Sequence, residues 1–476
     1  MNVLVWFKRD LRVHDHPALV MAAEVGAVLP VFVVEPDLWA QPEASSRQWE
    51  FVAESLAGLR EDLAGIGAPL VVRVGDAVQV LERLCRRHDI GHIVSHAEVG
   101  TVWTEARNRR VADWARSAGI KWTELPPTDG PKLSTGEPLP APALRAVAGA
   151  EPGLIPSARA LKLATDPCAH RQLGGRDRGL DLLESFLTRR GEAYRTAQSC
   201  PLAAERASSR LSPHLAWGVL SAREVAVATA ARQAERPGGR WSGALTAFQS
   251  QLAGREACAS GLANLSMLRP ALAKEDATTL AAWIAGETGL PFLDACLRYL
   301  RATGWLNARM RDMVASVACH QLGLDWQAVG QQLARLTTDY DPGIHWPQMQ
   351  ALARAGSPTP RLSDPVKLGA KLDTAGIFTR RWLPELATVP DAFLHAPWRW
   401  PEARRLLGLR YPEPIIDLAS ATRAAQERLD RNRRLAGFAE DGTAFALQRA
   451  SRAGQHNGPS RSGPAKPPKA QLCLPF

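Results

Sequence analysis

The stretch TGLPFLDACLRYLRATGWLNARMR, residues 288–311, decides the architecture of the second half of the chain. Leu290, Leu293, Leu297 and Leu300 recur at spacings of three and four, so one helical face can be buried while Asp294, Arg298 and Arg301 lie elsewhere. Thr288-Gly289 ahead of Pro291 marks a turn into that helix, and Asp294 and Arg298 are spaced to pair at i,i+4. Gly304-Trp305 then opens a second helix carrying Asn307, Arg309 and Arg311. A plain core helix has no use for so many guanidinium and amide groups. Two helix starts facing one pocket would offer N–H donors and guanidinium forks to a planar, anionic ligand.

Working outward, helical periodicity begins after about residue 167 and runs almost to Ala446, which predicts an all-helical second domain. Before it, Pro126-Pro127, Pro138-Leu139-Pro140 and Pro152-Gly153 mark a long surface connection. The N-terminal part alternates apolar runs at 3–6, 28–34, 70–74 and 92–95 with helical patterns such as 48–63 and 77–87. That alternation predicts a doubly wound parallel sheet, an α/β domain followed by the helical one. The expected divisions are 1–125 for the sheet domain, 126–185 for the connection, 186–445 for the helical domain and 446–476 for a disordered basic tail.

A chain of 476 residues, 46% apolar and 22% charged, can bury two cores. No apolar run reaches membrane-spanning length, and the first strand is broken at once by Lys8-Arg9-Asp10, so no signal peptide is read and a cytoplasmic monomer is expected. The seven cysteines are scattered without a C-x-x-C pair, which argues against zinc and against a disulfide framework, so no metal is expected. Of the 58 Lys/Arg, five lie in the tail with no acid beside them, leaving 53 against 48 acids on the folded body. So small an excess permits a local basic groove for nucleic acid without proving one.

Val3-Leu4-Val5-Trp6-Phe7-Lys8-Arg9-Asp10-Leu11-Arg12 with Asp15, Ser208-Ser209-Arg210-Leu211-Ser212-Pro213, Gly218-Val219-Leu220-Ser221, Arg255-Glu256, Asp339-Tyr340-Asp341 and Arg380-Arg381-Trp382-Leu383-Pro384-Glu385-Leu386 follow one another in this order. Together with residues 288–311 they resemble the photolyase/cryptochrome family, of a less-studied bacterial branch. The resemblance implies FAD held by the helical domain and an antenna pigment of unspecified identity in the first. It places the pyrophosphate on Ser208, Ser209 and Ser212, with Arg210 and Leu211 shaping that loop and Tyr194 as an upstream aromatic contact. It sets Arg255, Asn307, Arg311, Asp339, Tyr340, Asp341 and His345 about the flavin ring. Residues 96–110 resemble the antenna-side helix of the family, and a plain amphipathic helix is the simpler reading of them.

The chain also departs from the best-known photolyases. Gln251 and Gly254 stand where those enzymes carry a glutamate and a lesion-supporting tryptophan, and Asn307-Ala308-Arg309 replaces His-Asn-Arg. His345 takes the place of the asparagine near flavin N5. Met349 takes that of the flavin-proximal tryptophan of the electron chain, whose middle member matches Trp326. Methionine cannot relay a hole as indole does, so either another route, through Trp346, or weak photoreduction is expected. The implied activity is light-driven repair of cyclobutane pyrimidine dimers, with Gln251, Gly254, Asn307, Arg309, Trp346 and Met349 walling the lesion cavity. The alternatives are repair of (6-4) photoproducts and a cryptochrome-like photoreceptor. The chain ends Gln471-Leu472-Cys473-Leu474-Pro475-Phe476, which resembles the peptide by which bacterial repair proteins dock on the sliding clamp.

Overall fold

Five short runs rich in Val, Ile and Leu pair in parallel into a single sheet of order β3-β2-β1-β4-β5. The computed structural model describes residues 1–126, 136–260, 277–353 and 362–435. In chain order the first domain is β1 (Asn2–Phe7), α1 (Pro17–Val25), β2 (Ala27–Val34), α2 (Ser46–Gly65), β3 (Val71–Val74), α3 (Ala77–His88), β4 (Ile90–His96), α4 (Val102–Ser117) and β5 (Lys121–Leu125). Alternate residues of β1 feed opposite cores: Val3, Val5 and Phe7 pack toward α1 and α2, while Leu4 and Trp6 pack toward α3. Burial on both faces is what makes these strands read as continuous apolar runs. β5, KWTEL, went unread because it is polar and lies at the sheet edge. The expected helix at 96–110 is also corrected, since His96 ends β4 and the helix starts only at Val102.

Strand order reverses at β1, so the loops after β1 and β4 splay apart and leave a crevice at the carboxyl edge of the sheet. The helical domain closes over that edge. Trp217 and Val219 join the core beneath α1 and α2. The fully buried Asp15 carboxylate accepts the Ser221 hydroxyl at 2.6 Å. At the start of α2, Arg47 forks to Asp166 at 2.6 and 2.5 Å and donates to the carbonyls of Leu300 and Leu336.

The second domain contains α5 (Arg176–Ser185), α6 (Ala222–Glu235), α7 (Gly239–Ser260), α8 (Pro291–Thr303), α9 (Ala308–Ser316), α10 (Trp326–Leu336), α11 (Pro342–Ala353), α12 (Pro365–Leu372) and α13 (Leu418–Leu435). Two expectations change. α5 falls inside the stretch read as connection, because Leu183 is buried and Arg176 binds Glu224 of α6 at 2.5 Å. Helix does not run on from α12 to α13: Pro384, Pro390, Pro397, Pro401, Pro412 and Pro414 leave only turns and short helical pieces between them. No helix of the described residues is long and apolar enough to cross a membrane. The tail and its terminal peptide, Gln471, Leu472, Leu474, Pro475 and Phe476, lie outside the described residues.

Candidate flavin site

α8 shows how the quoted stretch folds. Its apolar stripe is buried as expected, with Leu290, Leu293, Leu297 and Leu300 at most 1% exposed. The expected Asp294–Arg298 pair does not form. Asp294 is fully buried and accepts from the amides of Thr288 and Gly289, from the Thr288 hydroxyl and from Tyr411, while Arg298 reaches Glu385 at 2.7 Å. Asp294 thus fixes the turn ahead of α8 by holding the amides that precede the helix. Burial raises the Asp294 carboxyl to about 6, against the pull of those hydrogen bonds. The start of α9 behaves differently. Asn307 is its N-cap residue, its amide donates to the Gln198 carbonyl at 2.7 Å, and its Oδ1 is buried without a partner among the described residues.

Two arginine–aspartate pairs share the short loop between α10 and α11, which carries both aspartates. Arg311 donates to both oxygens of Asp339 at 3.1 Å, and Arg255 of α7 reaches Asp341 at 3.0 Å. The resemblance grouped both arginines and both aspartates about the flavin ring; the structure pairs them one to one. Tyr340, between those aspartates, takes the Trp346 indole N–H on its hydroxyl at 3.0 Å. His345 donates from Nε2 to the Gly330 carbonyl at 2.9 Å, since a carbonyl can only accept, which leaves Nδ1 as an acceptor. Burial lowers its pKa to about 4, so the ring is neutral at pH 7.

The loop Ser208, Ser209, Arg210, Leu211, Ser212 leads into a short helix. Arg210 has φ +62°, its guanidinium lies 4.2 Å over Trp305, and it donates to the Tyr299 hydroxyl at 3.3 Å. The hydroxyls of Ser208 and Ser212 are buried with no partner among the described residues. Tyr194, 5% exposed, packs edge-on against Phe186 and Phe248.

The expected lesion wall divides. Gln251 and Gly254 of α7 and Arg309 of α9 are half-buried. Trp346 and Met349, 2% and 4% exposed, belong to the helical core. Trp346 meets Trp326 edge-on at 6.2 Å, and Trp326 is half-buried at the start of α10. Asp312, on α9 next to Arg311, was not singled out from the sequence. Burial pushes its carboxyl up to about 7, and Arg311, already engaged by Asp339, offsets this only in part. Nothing in residue spacing signals such a shift.

Two cavities flank the domain junction. A cleft of about 880 Å³, counting its open mouth, runs from Lys8, Arg12 and His96 at the carboxyl edge of the sheet to Arg255 and Asp341. A second, of about 800 Å³, is lined by Trp6, Phe32, Trp39, Glu35, Trp217 and Tyr340. Beside the first, Asp10, His16 and His96 bring ligand-type atoms within 4.8 Å of one another. A metal does not suit them, because His16 Nδ1 accepts the Leu19 amide at 3.0 Å, so its Nε2 carries the proton that faces Asp10 at 3.1 Å.

Orphaned hydroxyls at Ser208 and Ser212 and two arginines held by aspartates offer donors suited to a pyrophosphate and a polar ring edge, and the Asn307 oxygen, unpartnered among the described residues, adds an acceptor, a combination that suits FAD. The comparisons agree. The family model "DNA photolyase" matches residues 3–127, and "FAD binding domain of DNA photolyase" matches 247–431. The chain is 30% identical to the deoxyribodipyrimidine photo-lyase of Streptomyces griseus over 89% of this chain and 98% of that one. It is 29% identical to cryptochrome DASH of Gloeobacter violaceus over 89% and 94%. A bacterial class III photolyase from Agrobacterium tumefaciens superposes with a TM-score of 0.76 at 26% identity, covering 90% of this chain and 98% of that one. With the parallel sheet and the helical domain in place, and with a relative 30% identical over 89% of its length, the chain belongs to the photolyase/cryptochrome family.

Proposed function

We propose that the protein repairs cyclobutane pyrimidine dimers in DNA, driven by light. The observation that carries this reading is the set of buried, unpartnered polar atoms at Ser208, Ser212 and Asn307 together with the Arg255–Asp341 and Arg311–Asp339 pairs. The similarity to a named photo-lyase over nearly its whole length supports it. FAD, when bound and reduced, supplies the light-excited electron that splits the dimer. The chain itself binds, orients and excludes water. Each arginine is fixed by a carboxylate before any ligand arrives, so little reorganisation is needed on binding. His345, neutral and with an acceptor nitrogen, adds no further positive charge. The Gln251 amide and the Arg309 guanidinium supply the polar contacts to a flipped lesion and its backbone. Trp346 and Trp326 give a hole path from the interior to the surface, by-passing Met349.

The apolar second cavity, walled by three tryptophans, is the place for an antenna pigment. The terminal Gln471, Leu472, Leu474, Pro475 and Phe476 are the contact to a sliding clamp. Gly254 favours a second reading, a photoreceptor that signals through flavin redox state, because no aromatic ring stands there to support a flipped base. The deciding experiment illuminates reduced protein with two oligonucleotides, one carrying a thymine dimer and one a (6-4) photoproduct. Loss of the dimer in light and not in the dark supports repair; loss of the (6-4) product alone would reassign the lesion. Retention of both by protein with full flavin content would leave the photoreceptor.

A further inference from the structure

Three consecutive carbonyls of the serine loop are tied down from behind. Arg190 donates to the Ser208 carbonyl and, at 3.3 Å, to the Ser209 carbonyl. Gln172 donates to the Arg210 carbonyl at 2.7 Å and accepts from Arg210 Nε at 3.2 Å. In a trans peptide the N–H points opposite to the preceding C=O. Fixing these oxygens therefore turns the amides of Ser209, Arg210 and Leu211 toward the other face. Of the three, only the Leu211 amide has an acceptor among the described residues, the Ser209 hydroxyl, at a long 3.4 Å. Successive amides turned to one face around a left-handed residue form a concavity that suits an anion.

Arg190 is anchored for this task. It ends the π-helical turn that follows α5, donating to the Leu182 carbonyl at 2.9 Å and to the Ser185 hydroxyl at 2.9 Å. Burial, and then the charge of Arg210, lower the pKa of its guanidinium, so the two cations repel one another across the loop. A diphosphate placed there would relieve that repulsion.

We infer that Arg190, assisted by Gln172, is a positioning residue that sets the amide nest and the cationic field for the pyrophosphate of FAD. The inference rests on the reading of this site as the FAD cradle. It goes further in assigning the dinucleotide's affinity to two side chains outside the serine motif, one of them on the interdomain connection.

The test uses the full chain stripped of flavin. FAD and riboflavin, which lacks the pyrophosphate, are each titrated by fluorescence quenching into wild type, Arg190→Gln, Arg190→Lys and Gln172→Leu, with the thermal midpoint of each apoprotein as the folding control. Arg190→Gln is expected to weaken FAD by roughly 10- to 100-fold, from the loss of charge-assisted hydrogen bonds, and to leave riboflavin within about twofold. Arg190→Lys recovers part of the loss, and Gln172→Leu shows a smaller one of the same selectivity. Equal weakening of both flavins would overturn the inference, as a merely structural effect, and so would FAD binding unchanged in all variants. Wild type that binds no FAD would instead overturn the reading of the site beneath it. Should Arg190→Gln fail to fold, Gln172→Leu alone decides by the same FAD-to-riboflavin ratio.

Discussion

Asp312 carries a pH dependence whose sign can be worked out. An ordinary aspartate releases its proton near 3.8, and burial holds this one to about 7. Between those values the folded chain keeps a proton that the unfolded chain has lost, so the group's contribution to stability falls as pH rises through that window. Above it, a half-buried carboxylate is charged beside an arginine already engaged elsewhere. Asp312→Asn is expected to raise the melting temperature more at pH 8 than at pH 5, by about 1–2 °C, corresponding to about 1–2 kcal/mol after allowing for solvent access. Calorimetry at the two pH values checks it, and an equal shift at both would be the wrong result. His345 acts in the opposite sense, since its lowered pKa makes stability fall as pH drops from about 6.5 toward 4. The residue types at the site were legible as motifs. Their partners were not, because the split of Arg255 and Arg311 between Asp341 and Asp339 depends on loops far apart in sequence. Trp346 illustrates the same gap: the family resemblance implied a place in the cavity wall, and only packing shows how deeply it is buried. Trp346→Phe is expected to retain flavin and to slow photoreduction by an external thiol at least about tenfold. Unchanged kinetics in flash absorption would remove Trp346 from the electron path.

At the level of elements, the contact of α10 with α11 fixes the tryptophan pair. Gly330 on α10 has no room for a side chain: a Cβ there would lie 2.6 Å from the Trp346 ring. Its carbonyl also holds His345. Gly330→Ala is therefore expected to cost about 1–3 kcal/mol by overpacking and to displace the indole. Urea unfolding and tryptophan emission would show both, and a variant as stable as wild type with unaltered emission would contradict the geometry. Strands β1 to β4 were readable because burial on both faces leaves uniform apolar runs, and α8 because its stripe is regular. β5 was hidden by its polar edge position, α5 by its place in a stretch read as connection. The Asp294–Arg298 pairing failed for a physical reason: a fully buried carboxylate takes four hydrogen bonds from its own turn and from Tyr411 in preference to one half-buried partner at i,i+4 that Glu385 engages.

Across the whole molecule, the parallel sheet places the loops after β1 and β4 at its carboxyl edge, and the helical domain seals that edge while leaving two cavities at the junction. Asp15 to Ser221 and Arg47 to Asp166, Leu300 and Leu336 bind the domains as one buried interface rather than a mobile hinge. The order of domains followed from the alternation of apolar runs and then helical periodicity. Their interface did not, since it is built by side chains more than one hundred residues apart. Removing 471–476 is expected to abolish co-purification with a bacterial sliding clamp and to leave flavin content unchanged; clamp binding that survives the deletion would end that proposal. The most direct measurement for the account as a whole is a crystal structure of the protein with FAD. The expected result is one FAD in the helical domain, its pyrophosphate on Ser208, Ser212 and the amides between them, its ring edge against Arg255–Asp341 and Arg311–Asp339. FAD bound elsewhere, with those arginines and serines closed over packed side chains, would contradict it.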